Sequence, residues 1–231
     1  MKGVVIKSVG NLYNVQVNNK IFKCNYRGKY KVNNNFSNPI VSGDLVEVEA
    51  IDKETGVIEK IYNRKNYFLK KSLKDKKAHI IAANIDQTLI MGSIKSPYTK
   101  LKFIDKCIAA SFFYEIKPII LFNKIDLLNK EEEEKLNDIS LIYKNLNIKL
   151  YTVSIKEDMN LDEVSGILNN KRTLIIGNSG IGKSSLINFL TGKKSQRTDD
   201  LSLKTGRGKQ TTTFSEIFSL KNQGSVVDTP G

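Results

Sequence analysis

The feature that most constrains this chain is the glycine-rich segment Gly177–Ser184, which reads GNSGIGKS. It has the spacing GxxxxGKS, with the apolar run Thr173–Ile176 before it and the apolar-periodic run Ser185–Leu190 after it. A strand, a glycine-rich turn and a helix in this order form the loop that cradles a polyphosphate with its backbone N–H groups. The helix N-terminus adds partial positive charge. We therefore expect a phosphate-binding α/β domain.

The residue types in this loop predict individual roles. Lys183 is placed to reach the β- and γ-phosphates, and the Ser184 hydroxyl is placed to complete the shell of a Mg²⁺ ion. The rest of the loop is expected to contact the nucleotide around its phosphates: Gly177, Asn178, Ser179, Gly180, Ile181, Gly182 and Ser185. The loop by itself does not identify the base.

A second motif, Asn123–Asp126, reads NKID and directly follows an apolar run. Guanine presents N1–H and the 2-amino group as adjacent donors, and the single carboxylate of Asp126 can accept both, whereas adenine offers no such pair. We expect Asn123 to hydrogen-bond the base and neighbouring loops, and the Lys124 stem to pack on the purine face. Ser154 and Ile155, which end another strand-like run, are expected to supply backbone N–H contacts to the guanine oxygen.

The end of the chain carries two further candidates. Asp228–Gly231 reads DTPG after an apolar run, and an Asp there is suited to hold a Mg²⁺ shell, while the Gly231 N–H is suited to sense a γ-phosphate. Between this motif and the phosphate loop lies the run Thr211–Thr213. Of these hydroxyls, that of Thr212 is the one expected to complete the Mg²⁺ site.

From residue 80 onward, strand-like runs alternate with helix-like runs, which predicts a mostly parallel sheet with covering helices. Helices are expected within 99–115, from Glu131 onward, over 161–170 and after the phosphate loop. Four acids at the start of the second helix are explained by the helix macrodipole. The strand candidates are 80–94, 117–122, 148–154, 173–177, 214–220 and 225–231.

The N-terminal part has another rhythm, with five short alternating runs between Gly3 and Ile61 that are separated by turn residues. Five strands in this length predict a small OB-like barrel, a fold that commonly binds RNA. Basic and aromatic residues interleave along one part of it, and about half of the aromatics are expected in the core: Lys20, Phe22, Lys23, Tyr26, Arg27, Lys29, Tyr30 and Lys31.

These patterns predict three parts: an RNA-binding barrel over 1–63, a basic linker over 64–79 and a nucleotide-binding domain over 80–231. The formal net charge is +13, and residues 1–80 hold 16 of the lysines and arginines against 7 acids. Such a positive field favours binding to a polyanion such as RNA. The same excess would arise in a proteome in which lysine is simply abundant.

Cysteine usage and hydropathy exclude other classes. The 2 cysteines, Cys24 and Cys107, are far apart and have no CxxC partner or nearby histidine, so neither a disulfide framework nor a zinc site is supported. No run is long and apolar enough for a membrane span, and the N-terminus lacks the apolar region of a signal peptide. We expect a cytoplasmic protein with no membrane partner.

The order of the motifs points to a family. NKID comes first, followed by GNSGIGKSS, GRGKQTTT and DTPG, whereas an ordinary small GTPase begins with the phosphate loop. This order behind an OB-like barrel resembles the circularly permuted GTPases of ribosome assembly, the RsgA (YjeQ) family. The resemblance covers essentially the whole chain. It implies a barrel followed by a permuted P-loop GTPase domain, acting as a monomer.

The resemblance also implies a function: Mg²⁺-dependent GTP hydrolysis stimulated by the small (30S) ribosomal subunit, with the barrel on ribosomal RNA during late maturation. Two departures from the family matter. Gln210 stands where family members commonly carry a histidine before the threonines; it can orient a water but cannot accept a proton. Nothing follows Gly231, where the family continues into switch II and a zinc-binding domain, so we expect a fragment without zinc ligands.

Two other readings of the sequence stay open. The chain, without switch II, is also compatible with a GTP-dependent RNA-binding module that does not turn over. Alternatively, it is a permuted GTPase of large-subunit assembly, a class that usually lacks a leading barrel. A bacterial and an organellar context are both compatible with the sequence.

Overall fold

The computed structural model describes residues 1–26, 39–71, 78–192 and 215–229. The chain forms two compact units. The first holds Met1–Ile85 together with the segment that ends at Phe218, and the second holds the rest of the chain.

The first unit is a closed five-stranded barrel, as the alternating runs predict. Strands pair in the order β1–β2–β3–β5–β4, and β4 returns to pair with β1. All pairs are antiparallel except β3 with β5. Inward residues alternate with outward ones along β2, as a half-buried strand requires. The strands are β1 (Lys2–Val9), β2 (Leu12–Val17), β3 (Lys20–Tyr26), β4 (Leu45–Ala50) and β5 (Thr55–Ile61).

The barrel core is made of small β-branched and aromatic side chains. Phe22 is buried and Tyr26 is partly buried against the core, so both contact it, and the expectation that about half of the aromatics lie in the core stays a prediction. Lys20 and Lys23 are exposed on β3. Tyr30 and the neighbouring basic residues Arg27, Lys29 and Lys31 lie outside the described residues. The fully enclosed core side chains include Val5, Val15, Cys24, Ile40, Val46 and Ile58.

A buried ion pair fastens the chain that leaves the barrel. The Asp44 carboxylate is fully buried and accepts from Arg64 Nε at 2.6 Å and from Arg64 Nη2 at 2.7 Å. Arg64 Nη2 also donates to Pro39 O at 2.9 Å. Because both oxygens of a buried carboxylate are paired by one planar guanidinium, the position of Arg64 is determined by geometry as well as charge.

The stretch 64–79, which the sequence predicts as a linker, contains a strand. β6 (Tyr67–Lys71) pairs antiparallel with β7 (Ala78–Ala83), and Tyr67 and Leu69 pack on a small cluster around Val41. The apolar run Tyr67–Leu69 is short and lysines follow it, so the sequence does not indicate a strand there. The first compact unit extends to Ile85, and the boundaries predicted at 63 and 79 stay predictions.

The long strand predicted over 80–94 is wrong in its extent. It is two strands, β7 and β8 (Gln87–Gly92), separated at residues 84–86, where Asn84 adopts a φ of 55°. The Asn66 side chain donates to Ile85 O at 2.9 Å and accepts from Ile85 N at 2.8 Å, which fixes the break.

The second unit is a parallel sheet of five strands in the order β10–β9–β8–β11–β13. Its central strands are almost entirely buried, as strands covered on both faces require. The strands besides β8 are β9 (Lys117–Phe122), β10 (Lys149–Thr152), β11 (Arg172–Gly177) and β13 (Ser225–Asp228). The helices are α1 (Leu101–Phe113), α2 (Lys130–Asn145), α3 (Leu161–Ile167) and α4 (Lys183–Thr191).

One of the six strands expected in this sheet also pairs with β1. β12 (Glu216–Ser219) runs antiparallel to β1, with Glu216 opposite Lys7 and a 3.0 Å ion pair between their side chains. The alternation of FSEIFSL predicts a strand but does not indicate the pairing with β1. Among the described helices, none combines the length and apolar character needed to cross a bilayer.

Candidate nucleotide-binding site

Within the part of the second unit that the structure describes, the predicted motifs follow the carboxyl ends of the strands. Asn123 follows β9, Ser154 lies just beyond β10, the phosphate loop follows β11, and Asp228 ends β13. Because these strands are parallel, their carboxyl ends share one edge of the sheet, which is where ligands bind in open α/β sheets.

The phosphate loop adopts the tight turn that its glycines predict. Gly180 and Gly182 have φ values of 75° and 104°, in the left-handed region that favours glycine, and α4 begins at Lys183. The Lys183 ammonium lies over the loop, where it donates to Gly177 O at 2.6 Å and Asn178 O at 2.9 Å. A phosphate at this position would be contacted by the ammonium and by the first N–H groups of α4.

The remaining loop residues divide between core and surface. Ile181 is fully buried and anchors the loop. Ser179, Ser184 and Ser185 are exposed, the latter two on the first turn of α4. The Ser184 hydroxyl therefore lies where an oxygen ligand for a cation is expected.

Asn123 connects three loops through one side chain. Its Nδ2 donates to Ile181 O in the phosphate loop at 2.9 Å, and its Oδ1 accepts from Ile155 N at 3.2 Å. Only 5% of Asn123 is exposed. The amide group thus joins the NKID segment and the segment at Ile155 to the phosphate loop, and the Ile155 N–H is bonded to Asn123. The expected contact of this N–H with a guanine oxygen stays a prediction.

Lys124 is held at both ends. Its backbone takes a φ of 69°, and its ammonium donates to Gly180 O at 2.9 Å and to Ser96 O. The contact with Gly180 shows that the lysine side chain reaches from NKID to the phosphate loop. Ser96 is a neighbour that the sequence reasoning missed.

Asp126 accepts a hydrogen bond that the sequence did not predict. Fully buried Ser154 donates from Oγ to Asp126 Oδ1 at 2.5 Å and accepts from Glu157 N at 3.1 Å. This bond orients the carboxylate and occupies one of its oxygens. The sequence indicates a serine at the end of a strand, but not its bond with Asp126. Nearby, the pKa of Lys156 is raised by its hydrogen bond with Glu157 and, more weakly, by the Asp126 charge.

Asp228 ends β13 and is partly exposed. The next residue, Thr229, is buried and donates from Oγ1 to Ile175 O at 3.0 Å, which ties the start of DTPG to β11. Gln210, Thr212 and Gly231 lie outside the described residues. In the part of the chain that the structure does describe, no three histidine, cysteine or acidic side chains gather to hold a metal.

Comparison with known proteins agrees with this geometry. The sequence profile of the RsgA GTPase family matches residues 61–231, and that of the RsgA N-terminal domain matches residues 2–58. The chain belongs to the RsgA GTPase family. It is therefore a GTPase, with a barrel followed by a circularly permuted GTPase domain.

Curated members of the RsgA family match along the whole chain. The small ribosomal subunit biogenesis GTPase RsgA of Christiangramia forsetii is 35% identical over 237 residues, covering 100% of this chain and 75% of the relative. RsgA 2 of Bacteroides thetaiotaomicron is 35% identical over 234 residues, covering 100% of this chain and 76% of the relative. The chain thus spans about three quarters of the length of these relatives.

Solved structures support the same assignment. YjeQ from Thermotoga maritima has a TM-score of 0.75 and 29% sequence identity, covering 100% of this chain and 74% of that one. YloQ, described as a circularly permuted GTPase, has a TM-score of 0.70 at 24% identity, covering 100% and 71% of the two chains, and shares the fold.

The Asn123 contact with the phosphate loop generates a prediction about Gly182. A Cβ on Gly182 would lie 2.4 Å from Asn123 Nδ2, and its φ of 104° disfavours any side chain. We expect Gly182→Ala to weaken binding of a fluorescent GDP analogue by about tenfold or more, because the substitution displaces the amide.

The matched control is Gly166→Ala in α3, where a Cβ would meet nothing within 4 Å. Alanine favours a helix interior over glycine, so this variant should bind the analogue as the unmodified chain does. Equal affinity of the Gly182→Ala and Gly166→Ala proteins would contradict the prediction.

Proposed function

We propose that this GTPase acts in late maturation of the small ribosomal subunit, with its barrel on ribosomal RNA and its GTP turnover stimulated by the subunit. The observation that carries the proposal is the match of the whole chain to relatives named small ribosomal subunit biogenesis GTPase. The proposal includes a cytoplasmic location, where such a partner is found, and a monomeric state.

The charge of the barrel supports an RNA partner. The first 43 residues contain no acid, and within this stretch Lys20 and Lys23 project from β3 into solvent. The outer strands of OB-like barrels, β2 and β3 among them, commonly bind nucleic acid. Phosphate contacts by such lysines release counterions and supply affinity without sequence preference.

The proposed guanine site consists of Asn123, Lys124 and Asp126. Asp126, oriented by Ser154, accepts the N1–H and 2-amino donors of guanine, and Lys124 covers the purine face. Asn123 keeps this loop beside the phosphate loop, so the base and the phosphates are bound in one arrangement. The bonds from Ser154 to Asp126 and from Asn123 to Ile181 support this assignment.

The proposed reaction relies on positioning and charge neutralisation, because phosphoryl transfer to water asks little covalent chemistry of the protein. Lys183 and the loop amides bind the phosphates and stabilise the negative charge that develops on them. Gln210 is proposed to orient the attacking water. As an amide it cannot accept the proton, so a role as general base is not proposed.

The residues at the sheet edge fit a Mg²⁺ ion. Ser184 offers an exposed hydroxyl at the start of α4, and Asp228 offers a carboxylate at the end of β13. Both are the hard oxygen ligands that Mg²⁺ prefers. We propose Ser184 and Thr212 as direct ligands and Asp228 as a partner through water. When bound, the ion would neutralise charge on the β- and γ-phosphates.

Guanine recognition is tested by Asp126→Asn. An amide donates where the carboxylate accepted, so we expect GTP affinity to fall by about tenfold to a hundredfold while xanthosine triphosphate binds better. Competition against a fluorescent GTP analogue measures both. Asp138→Asn removes an exposed carboxylate from α2 and serves as the control. An unchanged preference in Asp126→Asn would contradict guanine recognition by this residue.

The ribosomal partner is tested by co-sedimentation with separated subunits in a non-hydrolysable GTP analogue. We expect binding to the small subunit to fall steeply as salt rises, and the double variant Lys20→Gln, Lys23→Gln to flatten the slope by about two. The control removes two exposed lysines of α1, Lys102 and Lys106. Preference for large subunits, or a flat salt response, would count against the proposal.

A further inference from the structure

The loop that joins β8 to α1, Ser93–Thr99, has no role in the function proposed above, yet it is tightly built. Ser93 and Thr99, which close it, are both fully buried. Ser93 N donates to Thr99 Oγ1 at 3.1 Å, and Thr99 N donates to Ser93 O at 2.9 Å. Ser93 Oγ also bonds to both backbone groups of Lys95. Such a network holds the residues between them in one conformation.

The exposed tip of this loop reaches the nucleotide site. Ser96 O accepts from the Lys124 ammonium, which also donates to Gly180 O at 2.9 Å. The Cδ of Pro97 is 4.0 Å from where a Cβ of Gly180 would lie. The loop therefore lies beside the base motif and the phosphate loop at the same time.

A second contact fastens the loop laterally. The Lys95 ammonium is 3.2 Å from Glu132 Oε2. Glu132 forms the capping box of α2 with Asn129, whose side chain accepts from Glu132 N at 2.9 Å. Because α2 begins a few residues after Asp126, this ion pair connects the loop to the chain that leaves the base motif.

The physical consequence concerns the Lys124 stem. A lysine side chain has four rotatable bonds and loses considerable entropy when it is held in place. With its ammonium shared by two carbonyls from different segments, the stem has both ends fixed before any purine arrives. Pre-organisation of this kind raises affinity because less freedom is lost on binding.

We propose that the Ser93–Thr99 loop is a positioning element for the purine, in which Ser93 and Thr99 act through Lys124. The inference rests on the proposed role of Lys124 in covering the base. A stem packed on a purine face does not distinguish guanine from xanthine. The loop therefore sets how long a nucleotide stays bound, and Asp126 sets which base is chosen.

The test is Thr99→Val, which keeps the side-chain volume and removes the acceptor for Ser93 N. We expect a fluorescent GDP analogue to dissociate about tenfold faster. The dissociation rate of the corresponding xanthosine diphosphate analogue should rise by the same factor, so that the ratio of the two dissociation rates stays constant. Thr99→Ser restores the hydroxyl and should return the unmodified rate.

The matched control is Thr88→Val. Thr88 and Ser111 are also fully buried, and their hydroxyls share a 2.8 Å hydrogen bond away from the loop. The two valine variants should lose similar thermal stability, whereas only Thr99→Val should release nucleotide faster. Equal release rates in both variants would overturn the inference, because the effect would then be general destabilisation.

A double variant tests the route through Lys124. Lys124→Met keeps an apolar stem and removes the ammonium, so adding Thr99→Val to it should change the release rate no further. A full additional effect would overturn the inference.

If Thr99→Val does not fold, Lys95→Met tests the same loop from the surface. We expect nucleotide release from this variant to be about threefold faster. An unchanged release rate would contradict the proposal.

These outcomes separate the inference from the function on which it rests. If the unmodified chain bound no guanine nucleotide, or if Lys124→Met had no effect on release, the proposed base site would fail. If Lys124→Met released nucleotide faster while Thr99→Val did not, only the positioning role of the loop would fail.

Discussion

The side chain of Asn123 is the contact on which the nucleotide site depends. One amide group donates to the phosphate loop at Ile181 O and accepts from Ile155 N, and it does so at 5% exposure, where an unmet hydrogen bond is costly. The bond length leaves no room for a side chain on Gly182. The NKID motif, proposed to recognise the base, and the phosphate loop are thereby joined in a single structural unit, although they lie about fifty positions apart in the sequence.

Parallel strand order explains why the permuted sequence still forms this site. The strands β9 and β11 lie on either side of β8, and all three run in the same direction. Their carboxyl ends reach the same edge whichever strand comes first along the chain. The bonds between the loops are made across that edge, so they depend on the arrangement of the strands and not on chain order.

Much of this architecture was predictable because the local sequence patterns agreed with the way the elements pack in the fold. The sequence of the phosphate loop contains the required glycines and lysine between a strand pattern and a helix pattern. The barrel sequence contains five alternating runs. The predictions that were wrong lack such agreement. Residues 80–94 read as one apolar strand because the break depends on Asn66, a residue distant in sequence. The strand 216–219 also pairs with β1, a partner distant in sequence that its alternation does not indicate.

Within the site, the residue types and the bonds from Asn123 to neighbouring loops were predictable, and the other contacts were not. A serine after a strand gave no indication that its hydroxyl would bond Asp126, and the loop Ser93–Thr99 carries no motif at all. Its role follows only from the meeting of Ser96 O and Gly180 O at one ammonium. Interactions between loops arise from the sheet that presents them, so a pattern within a single loop does not reveal them.

The most direct test of this account measures phosphate release from GTP and from ATP, in parallel, by the unmodified chain and by Asn123→Ala, with small ribosomal subunits present. The account predicts that the unmodified chain hydrolyses GTP in preference to ATP. It also predicts that Asn123→Ala loses both the preference and most of the rate, since the amide serves the base and the phosphate loop together. A variant that lost the preference but kept the rate would contradict it, because Asn123 would then act on the base alone.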